Sequence, residues 1–149
     1  MNFLGKWRGH SFFQVAPTSY FIFIKPWKSN EPGGLIEPLF DFYKVSAGNL
    51  IVFCDELDVP LNATRIKQGG GDNGHNGLKD ITTHFSGPGY FRLRMGIGRP
   101  TGQQDPADFV LKPFSSTERK EREDFIARGA NALERLIEKG LEEEQQEFN

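Results

Sequence analysis

The chain has 149 residues, with 18 lysines and arginines against 20 aspartates and glutamates, so its formal net charge is −2. Its length suits one domain with a substantial core, while the single cysteine excludes an internal disulfide and favours a reducing, cytoplasmic setting. No apolar run reaches the roughly 20 residues that a membrane-spanning helix needs, so we expect no membrane contact. Twelve bases and ten acids among the first 117 residues permit nucleic-acid binding without requiring it.

The first half of the chain predicts two strands and a helix. Residues 9–14 and 19–24 are rich in aromatic and β-branched side chains, which is typical of strands. A loop dense in proline, glycine and polar residues follows them. The spacing of apolar residues then predicts a helix at 35–44 whose inward side chains are Leu35, Leu39, Phe42 and Tyr43.

The second half alternates strands with helices. Strands are predicted at 50–54, 63–67 and 90–97, helices at 78–85 and 115–139, and irregular structure at 98–107. The last helix begins at a capping box of Ser115 and Glu118, and its predicted inward face is Ile126, Ala130, Leu133 and Ile137. Because strands and helices interleave, we predict an α/β fold in one domain, residues 1–149, whose end from 141 to 149 is a frayed acidic tail.

Two polar clusters are candidate site residues. The acids Asp55, Glu56 and Asp58 follow the predicted strand at 50–54, and carboxylates at the end of a buried strand are costly to desolvate, which favours a site. His75 and Asn76 follow a glycine-rich loop and precede a predicted helix. The alternatives are structural: a strand-end cap for Asp55 and a hydrogen-bonded loop histidine for His75.

Basic residues alternate along two predicted strands. Arg65 and Lys67 lie on one face of the first strand, and Arg92 and Arg94 on one face of the second. If the two strands are neighbours, these bases form a phosphate-binding patch. The alternative is that they are ordinary solvated strand faces.

Cofactor and metal motifs are weak. Gly69, Gly71 and Gly74 fit G-x-G-x-x-G, but the preceding strand is charged at alternate positions and the surrounding pattern is not that of a dinucleotide-binding unit. Acids and His75 could supply metal ligands, yet their spacing matches no metal motif. We therefore expect no cofactor and no metal.

Four blocks of sequence together resemble the bacterial peptidyl-tRNA hydrolase family. They are CDELDVP at 54–60, KQGGG at 67–71, GHNGLKDI at 74–81 and RLRMGIGRP at 92–100. The resemblance extends over most of the chain from about Lys25 onward. It implies a twisted mixed β-sheet flanked by helices, and an esterase that releases peptides from tRNA stranded after abortive translation. The implied partner is peptidyl-tRNA, bound by a monomer.

The resemblance also implies roles for individual residues. Asp55 matches the aspartate that orients the family's histidine base, and His75 is a second candidate catalytic residue because it lies beside the substrate-binding Asn76. Asn30 matches another substrate-binding asparagine. The positions that match the family's phosphate contacts are Arg65, Lys67 and Arg94.

The chain departs from the family pattern at its start. The family's G-L-G-N-P-G strand and its R-H-N helix, which carries the base histidine, have no counterpart here, and His10, His75 and His84 all lie at other positions. We therefore expect a hydrolase whose start is misplaced or truncated. The alternatives are a homologue that binds tRNA or another RNA without hydrolysis, and a non-functional fragment.

Overall fold

A computed structural model describes residues 31–139, together with the backbone of three earlier strands. Asn30, the side chain of His10 and the predicted tail at 141–149 lie outside the described residues. The chain divides into two compact units. The first contains residues 1–45 and 72–87, and the second contains residues 46–71 and 88–149.

The first unit contains an antiparallel sheet and two helices. The strands are β1 (Asn2–Trp7), β2 (His10–Ala16) and β3 (Ser19–Phe23), in the order β1-β2-β3. The helices are α1 (Gly33–Tyr43) and α2 (Asn76–His84). The two strands predicted at 9–14 and 19–24 are thus present as β2 and β3, whereas β1 was not predicted.

Close approach of α1 to α2 organises this unit. The backbone N–H of Gly33 donates to Oδ2 of Asp80 at 2.6 Å. A Cβ atom on Gly33 would lie 2.9 Å from the carbonyl oxygen of Asp80, so only glycine fits there. The prediction for the inward face of α1 is wrong in part: Ile36 is buried, while Phe42 is 72% exposed.

The second unit is a mixed sheet with helices. Its strands are β4 (Ile51–Glu56), β5 (Thr64–Gln68) and β6 (Phe91–Gly96), and its helices are α3 (Pro106–Val110) and α4 (Ser116–Lys139), with a 3₁₀ turn at Ala47–Asn49. The sheet order is β4-β6-β5. β6 is parallel to β4 and antiparallel to β5. The predicted α/β class with a mixed sheet is confirmed, and the single-domain boundary stays a prediction.

The core of this unit lies between the sheet and α4. Ile66 and Leu93 from the sheet are buried together with Ala132 and Leu136 of α4. Gly129 permits the contact, because a Cβ there would lie 3.0 Å from Sδ of Met95. The predicted inward face of α4 is wrong in part: Leu133 packs against this core, whereas Ile126 is 58% exposed and its neighbour Phe125 is buried instead.

The starts of α3 and α4 follow the capping rules of the sequence. In the predicted capping box, Oγ of Ser115 accepts from the N–H of Glu118 at 3.2 Å, and Glu118 accepts from the N–H of Ser115 at 2.6 Å. Hydrogen bonding of the Glu118 carboxylate to the side chain of Ser115 and to its backbone N–H lowers the pKa of Glu118. The prediction of irregular structure at 98–107 is wrong at its end, because α3 begins there with Asp105 as N-cap and Pro106 in the first turn.

Candidate functional site

The bases predicted to form a patch lie side by side on one face of the β4-β6-β5 sheet. β5 and β6 are paired so that Arg65 is opposite Arg94 and Lys67 is opposite Arg92. Directly opposite residues on paired strands point to the same face. The structure therefore brings all four together, and their proposed contact with phosphate stays a prediction.

Arg92 is not a solvated member of this face. Its side chain is 3% exposed, and its guanidinium donates to the carbonyl oxygen of Gly70 at 2.8 Å and to that of Gly71. The guanidinium carbon also lies 4.9 Å from the centre of the Tyr90 ring, a cation–π geometry. The alternative of an ordinary solvated strand face is thus wrong for Arg92.

Arg94 is paired with a carboxylate. Its Nη1 lies 3.5 Å from Oε2 of Glu56, and the two side chains are 23% and 10% exposed. Oε1 of Glu56 accepts from the backbone N–H of Asp58 at 3.2 Å, which holds the carboxylate in place. Glu56 thus compensates part of the charge of Arg94 on the basic face.

Lys67 lies against the glycine loop, residues 69–71. A Cβ atom on Gly70 would be 3.1 Å from both Cε and Nζ of Lys67, so the end of the lysine rests on the α-carbon of that glycine. Lys67 is exposed and Arg65 is half-buried. These two bases and Arg94 are the members of the face that solvent reaches.

The acids after the predicted strand at 50–54 separate in the structure. Asp55 and Glu56 are the last residues of β4 and do not follow it, which corrects the predicted boundary. Alternation therefore sends their side chains to opposite faces: Asp55 is exposed and Glu56 is buried beside Arg94. Asp58 binds Arg99 at 2.6 Å. The three acids do not form one cluster.

Burial keeps Cys54 unreactive. The thiol lies on β4 next to Asp55 and Glu56, and desolvation, reinforced by these two negative charges, raises its pKa to about 12. A thiol with such a pKa is protonated at neutral pH and is a poor nucleophile. Covalent chemistry through this cysteine is therefore not supported.

His75 begins α2 as its N-cap. Its Nδ1 accepts a hydrogen bond from the backbone N–H of Leu78 at 3.3 Å, so the imidazole takes the place of the usual capping oxygen. Asn76, the first residue of α2, is exposed. Asp72 supports the turn before them, since its Oδ1 accepts from the N–H of Gly74 at 3.3 Å. A capping role for His75 is thus present, and its catalytic role stays a prediction.

His84 belongs to the α1–α2 contact and to no candidate site. Its Nδ1 lies 2.9 Å from the carbonyl oxygen of Asp80. That hydrogen bond, with smaller contributions from the carboxylates of Asp80 and Glu37, raises the pKa of His84. No three His, Cys, Asp or Glu side chains among residues 31–138 are grouped to hold a metal ion.

The predicted site residues divide between the two units. Asp55, Arg65, Lys67 and Arg94 belong to the second unit, whereas His75 and Asn76 belong to the first. Asn30 lies outside the described residues. Sequence reasoning missed the pairing of Glu56 with Arg94 and the contact of Arg92 with the glycine loop. Glu56 is the last residue of β4 and Arg94 lies within β6, and the adjacency of these two strands comes from the sheet order, which the sequence pattern does not give.

Across the residues that the structure describes, no helix is long and apolar enough to span a membrane.

Comparison with known proteins gives consistent matches. Residues 6–149 match the family model described as peptidyl-tRNA hydrolase. The chain is 53% identical over 120 residues to the peptidyl-tRNA hydrolase of Streptomyces coelicolor, which covers 80% of this chain and 60% of that protein.

Two further similarities agree with these. The chain is 47% identical over 135 residues to the peptidyl-tRNA hydrolase of Kineococcus radiotolerans, covering 91% of this chain and 64% of that one. It resembles the crystal structure of peptidyl-tRNA hydrolase from Acinetobacter baumannii with a TM-score of 0.75 at 28% identity, over 97% of this chain and 69% of that one. The chain thus spans about six tenths of the length of these two curated relatives.

Proposed function

Because this chain belongs to the peptidyl-tRNA hydrolase family, we propose that it acts in hydrolysis of the ester between a peptide and the 3′-terminal ribose of tRNA. The observation that carries the proposal beyond family membership is the pairing of Arg65 with Arg94 and of Lys67 with Arg92 on adjacent strands. Neighbouring cations on a rigid sheet suit a phosphate backbone, which binds largely by charge.

The proposed phosphate contacts are Arg65, Lys67 and Arg94. They differ in how much charge they offer, because Glu56 lies 3.5 Å from Arg94. A fixed carboxylate beside one base weakens its attraction for an anion and allows the product tRNA to leave. We expect these bases to position tRNA without reading its sequence.

The proposed chemistry is attack of a water on the ester carbonyl. The water oxygen bonds to the carbonyl carbon, the bond to the ribose 3′-oxygen breaks, and that oxygen leaves with a proton. A histidine base takes the proton of the water, and Asp55 holds the imidazole in the useful tautomer. The exposure of Asp55 at the end of β4 suits a carboxylate that must meet another side chain.

The substrate end is assigned to the asparagines. Asn76 is exposed at the start of α2, where its amide can hydrogen-bond an ester or ribose oxygen. His75 caps the same helix and so fixes the backbone beside Asn76. Asn30 is the second proposed substrate ligand. A monomeric state, cytoplasmic location and action without a cofactor remain parts of the proposal.

The test is hydrolysis of an N-blocked aminoacyl-tRNA. The N-terminal segment that the resemblance implies, with a G-N-P-G strand and an R-H-N helix, is fused ahead of Met1 to supply the histidine base. We expect the fusion to turn over substrate and the same fusion with that histidine changed to alanine to lose about 10²- to 10⁴-fold in kcat. A fusion that folds and binds tRNA without hydrolysing it would contradict the proposal.

The 149-residue chain is measured beside the fusion. We expect its turnover to lie near background, because general-base catalysis contributes about 10²- to 10⁴-fold. Turnover within about tenfold of the fusion would instead mean that the base is among its own residues. His75→Ala would then be the variant that identifies it.

A further inference from the structure

Arg92 differs from the three bases proposed to contact phosphate. Its guanidinium donates to two backbone carbonyls, those of Gly70 and Gly71, and its charge rests on the ring of the fully buried Tyr90. Hydrogen bonds from an ionised donor are roughly twice as strong as neutral ones. The positive charge of Arg92 therefore interacts with groups of the protein itself.

The loop that Arg92 binds is made of glycines, which carry no side chains that could anchor it. Its three consecutive residues are Gly69, Gly70 and Gly71, and glycine has the largest backbone entropy to lose on ordering. The first two have φ angles of 71° and 94°, in the left-handed region. Gly69 also donates its N–H to the carbonyl oxygen of Tyr90 at 3.1 Å. Arg92 holds the next two residues of the loop.

Lys67 depends on this loop for its position. A Cβ atom added to Gly70 would lie 3.1 Å from both Cε and Nζ of Lys67. The end of the lysine side chain therefore packs against the loop. Lys67 is also the direct cross-strand partner of Arg92. One arginine thus fixes the loop, and the loop fixes the direction of the neighbouring lysine.

We infer that Arg92 is a positioning residue for tRNA binding: it orders the loop 69–71 so that the ammonium of Lys67 is held where a phosphate reaches it. The inference rests on the proposed function, since it assigns an indirect role within that binding face. Arg92 itself makes no phosphate contact. Lysine cannot replace it, because a single ammonium lacks the planar fork that reaches two carbonyls at once.

The first test is a double-mutant cycle on tRNA affinity, measured from 50 to 200 mM salt with a deacylated tRNA. Arg92→Lys keeps the charge and should still weaken binding about tenfold, a loss near 1.4 kcal/mol. It should also reduce the salt slope about as much as Lys67→Ala does, by about 0.7 to 0.9. In a Lys67→Ala background, Arg92→Lys should cost less than about twofold.

Arg65 supplies the matched control. It lies on the same strand as Lys67 but pairs with Arg94, so Arg92→Lys should weaken an Arg65→Ala chain as much as it weakens the parent. A merely structural role for Arg92 would lower affinity equally in all backgrounds. A direct phosphate contact would leave Arg92→Lys near parental affinity. Either result would overturn the inference.

A glycine pair tests the same link without touching Arg92. Gly70→Ala and Gly69→Ala both place a side chain at positive φ, yet only the Gly70 Cβ would displace Lys67; that of Gly69 lies 3.5 Å from the carbonyl oxygen of Pro88, an ordinary contact. We expect Gly70→Ala to weaken tRNA binding more than Gly69→Ala, with the difference gone in a Lys67→Ala background. Equal losses from the two alanines would contradict the inference, and this comparison decides the matter if Arg92→Lys does not fold.

Failure of the proposed function gives a different result. If the parent chain binds no tRNA, or if Lys67→Ala leaves the salt slope unchanged, the basic face is not the binding surface and the inference falls with it. If Lys67→Ala lowers the slope but the cycle with Arg92 is additive, only the positioning role of Arg92 is wrong.

Discussion

The two faces of the β4-β6-β5 sheet are built from the same three strands and have opposite contents. One face carries Ile66 and Leu93, which are fully buried in the core that α4 completes. The other carries the four bases of β5 and β6. Because alternate residues point to opposite sides, a register shift by one residue would exchange the two faces entirely. Burial of the apolar face therefore fixes where the bases point.

We expect one face of the sheet to determine the stability of the protein and the other to determine its charge-dependent binding. Substitutions on the covered face should change the free energy of unfolding and leave the salt dependence of tRNA binding unchanged. Substitutions of the three bases that solvent reaches, Arg65, Lys67 and Arg94, should do the reverse, whereas Arg92 is buried and belongs to neither class. Asp55 is the exception, since alternation places it on the side of Phe53 and Met95 while its exposure at the strand end leaves it accessible. Four predictions test this division.

The largest expected effect comes from Asp55→Asn in the fused chain. The carboxylate should act through the histidine base, so kcat should fall by about 10²- to 10⁴-fold while KM stays near the parental value. Steady-state hydrolysis of an N-blocked aminoacyl-tRNA measures both. Asn76→Ala is the contrasting variant, because loss of a substrate hydrogen bond should raise KM as well. Parental turnover with a lower melting temperature would make Asp55 a strand-end cap.

Next in size is Leu93→Ala on the covered face. The side chain is fully buried against Ile66, so its truncation should lower the free energy of unfolding by about 2 to 5 kcal/mol. Urea titration measures this loss. Ile126→Ala, on the exposed side of α4, should change stability by less than about 0.5 kcal/mol. A folded Leu93→Ala chain with an altered salt slope for tRNA would break the separation of the two faces.

Lys67→Ala tests the opposite face. It should reduce the slope of log affinity against log salt by about 0.7 to 0.9, the value of one phosphate contact, and do so equally for different tRNAs. Its unfolding free energy should stay within about 0.5 kcal/mol of the parent. Lys112→Ala, an exposed lysine outside the sheet, is the matched charge control. If Lys112→Ala changed the slope as much, the effect would be one of net charge alone.

The smallest expected effect is a gain. Glu56→Gln keeps the shape of the side chain and removes the charge beside Arg94, so tRNA affinity should rise a few-fold at low salt, in line with about 1 kcal/mol for a charge at a partly exposed pair. Filter binding at two salt concentrations measures it. The gain should vanish in an Arg94→Ala background. A gain that persisted there would show that Glu56 acts on another base.

The elements of the fold were predictable where a pattern was local. The capping box at Ser115 and the alternation of β6 both follow from neighbouring residues. The inward face of α4 was not fully predictable. Apolar periodicity favoured large side chains such as Ile126, whereas the small residues Gly129 and Ala132 allow the helix to pack closely against the sheet near Met95. Small residues allow two elements to pack closely, and a hydrophobicity pattern does not show which small residues serve this purpose.

The candidate site shows the same limit. Alternation correctly placed the four bases in pairs along two strands, but it could not separate buried Arg92 from exposed Lys67. That difference depends on the course of the glycine loop. Its carbonyl oxygens accept hydrogen bonds from Arg92, whereas the end of Lys67 lies against Gly70. The three acids were grouped by sequence, but strand alternation separates Asp55 from Glu56, and Asp58 lies beyond the strand in an ion pair with Arg99.

Cys54 gives this molecule a built-in reporter of local opening. As the sole cysteine, buried on β4 with a pKa of about 12, it should react with maleimides and disulfide reagents only when that strand leaves the sheet. The rate of thiol modification would therefore time excursions of the strand that ends in Asp55. Because Cys54 is buried while the sheet is intact, a cysteine introduced on the basic face can be labelled with a fluorophore without competition from the native thiol.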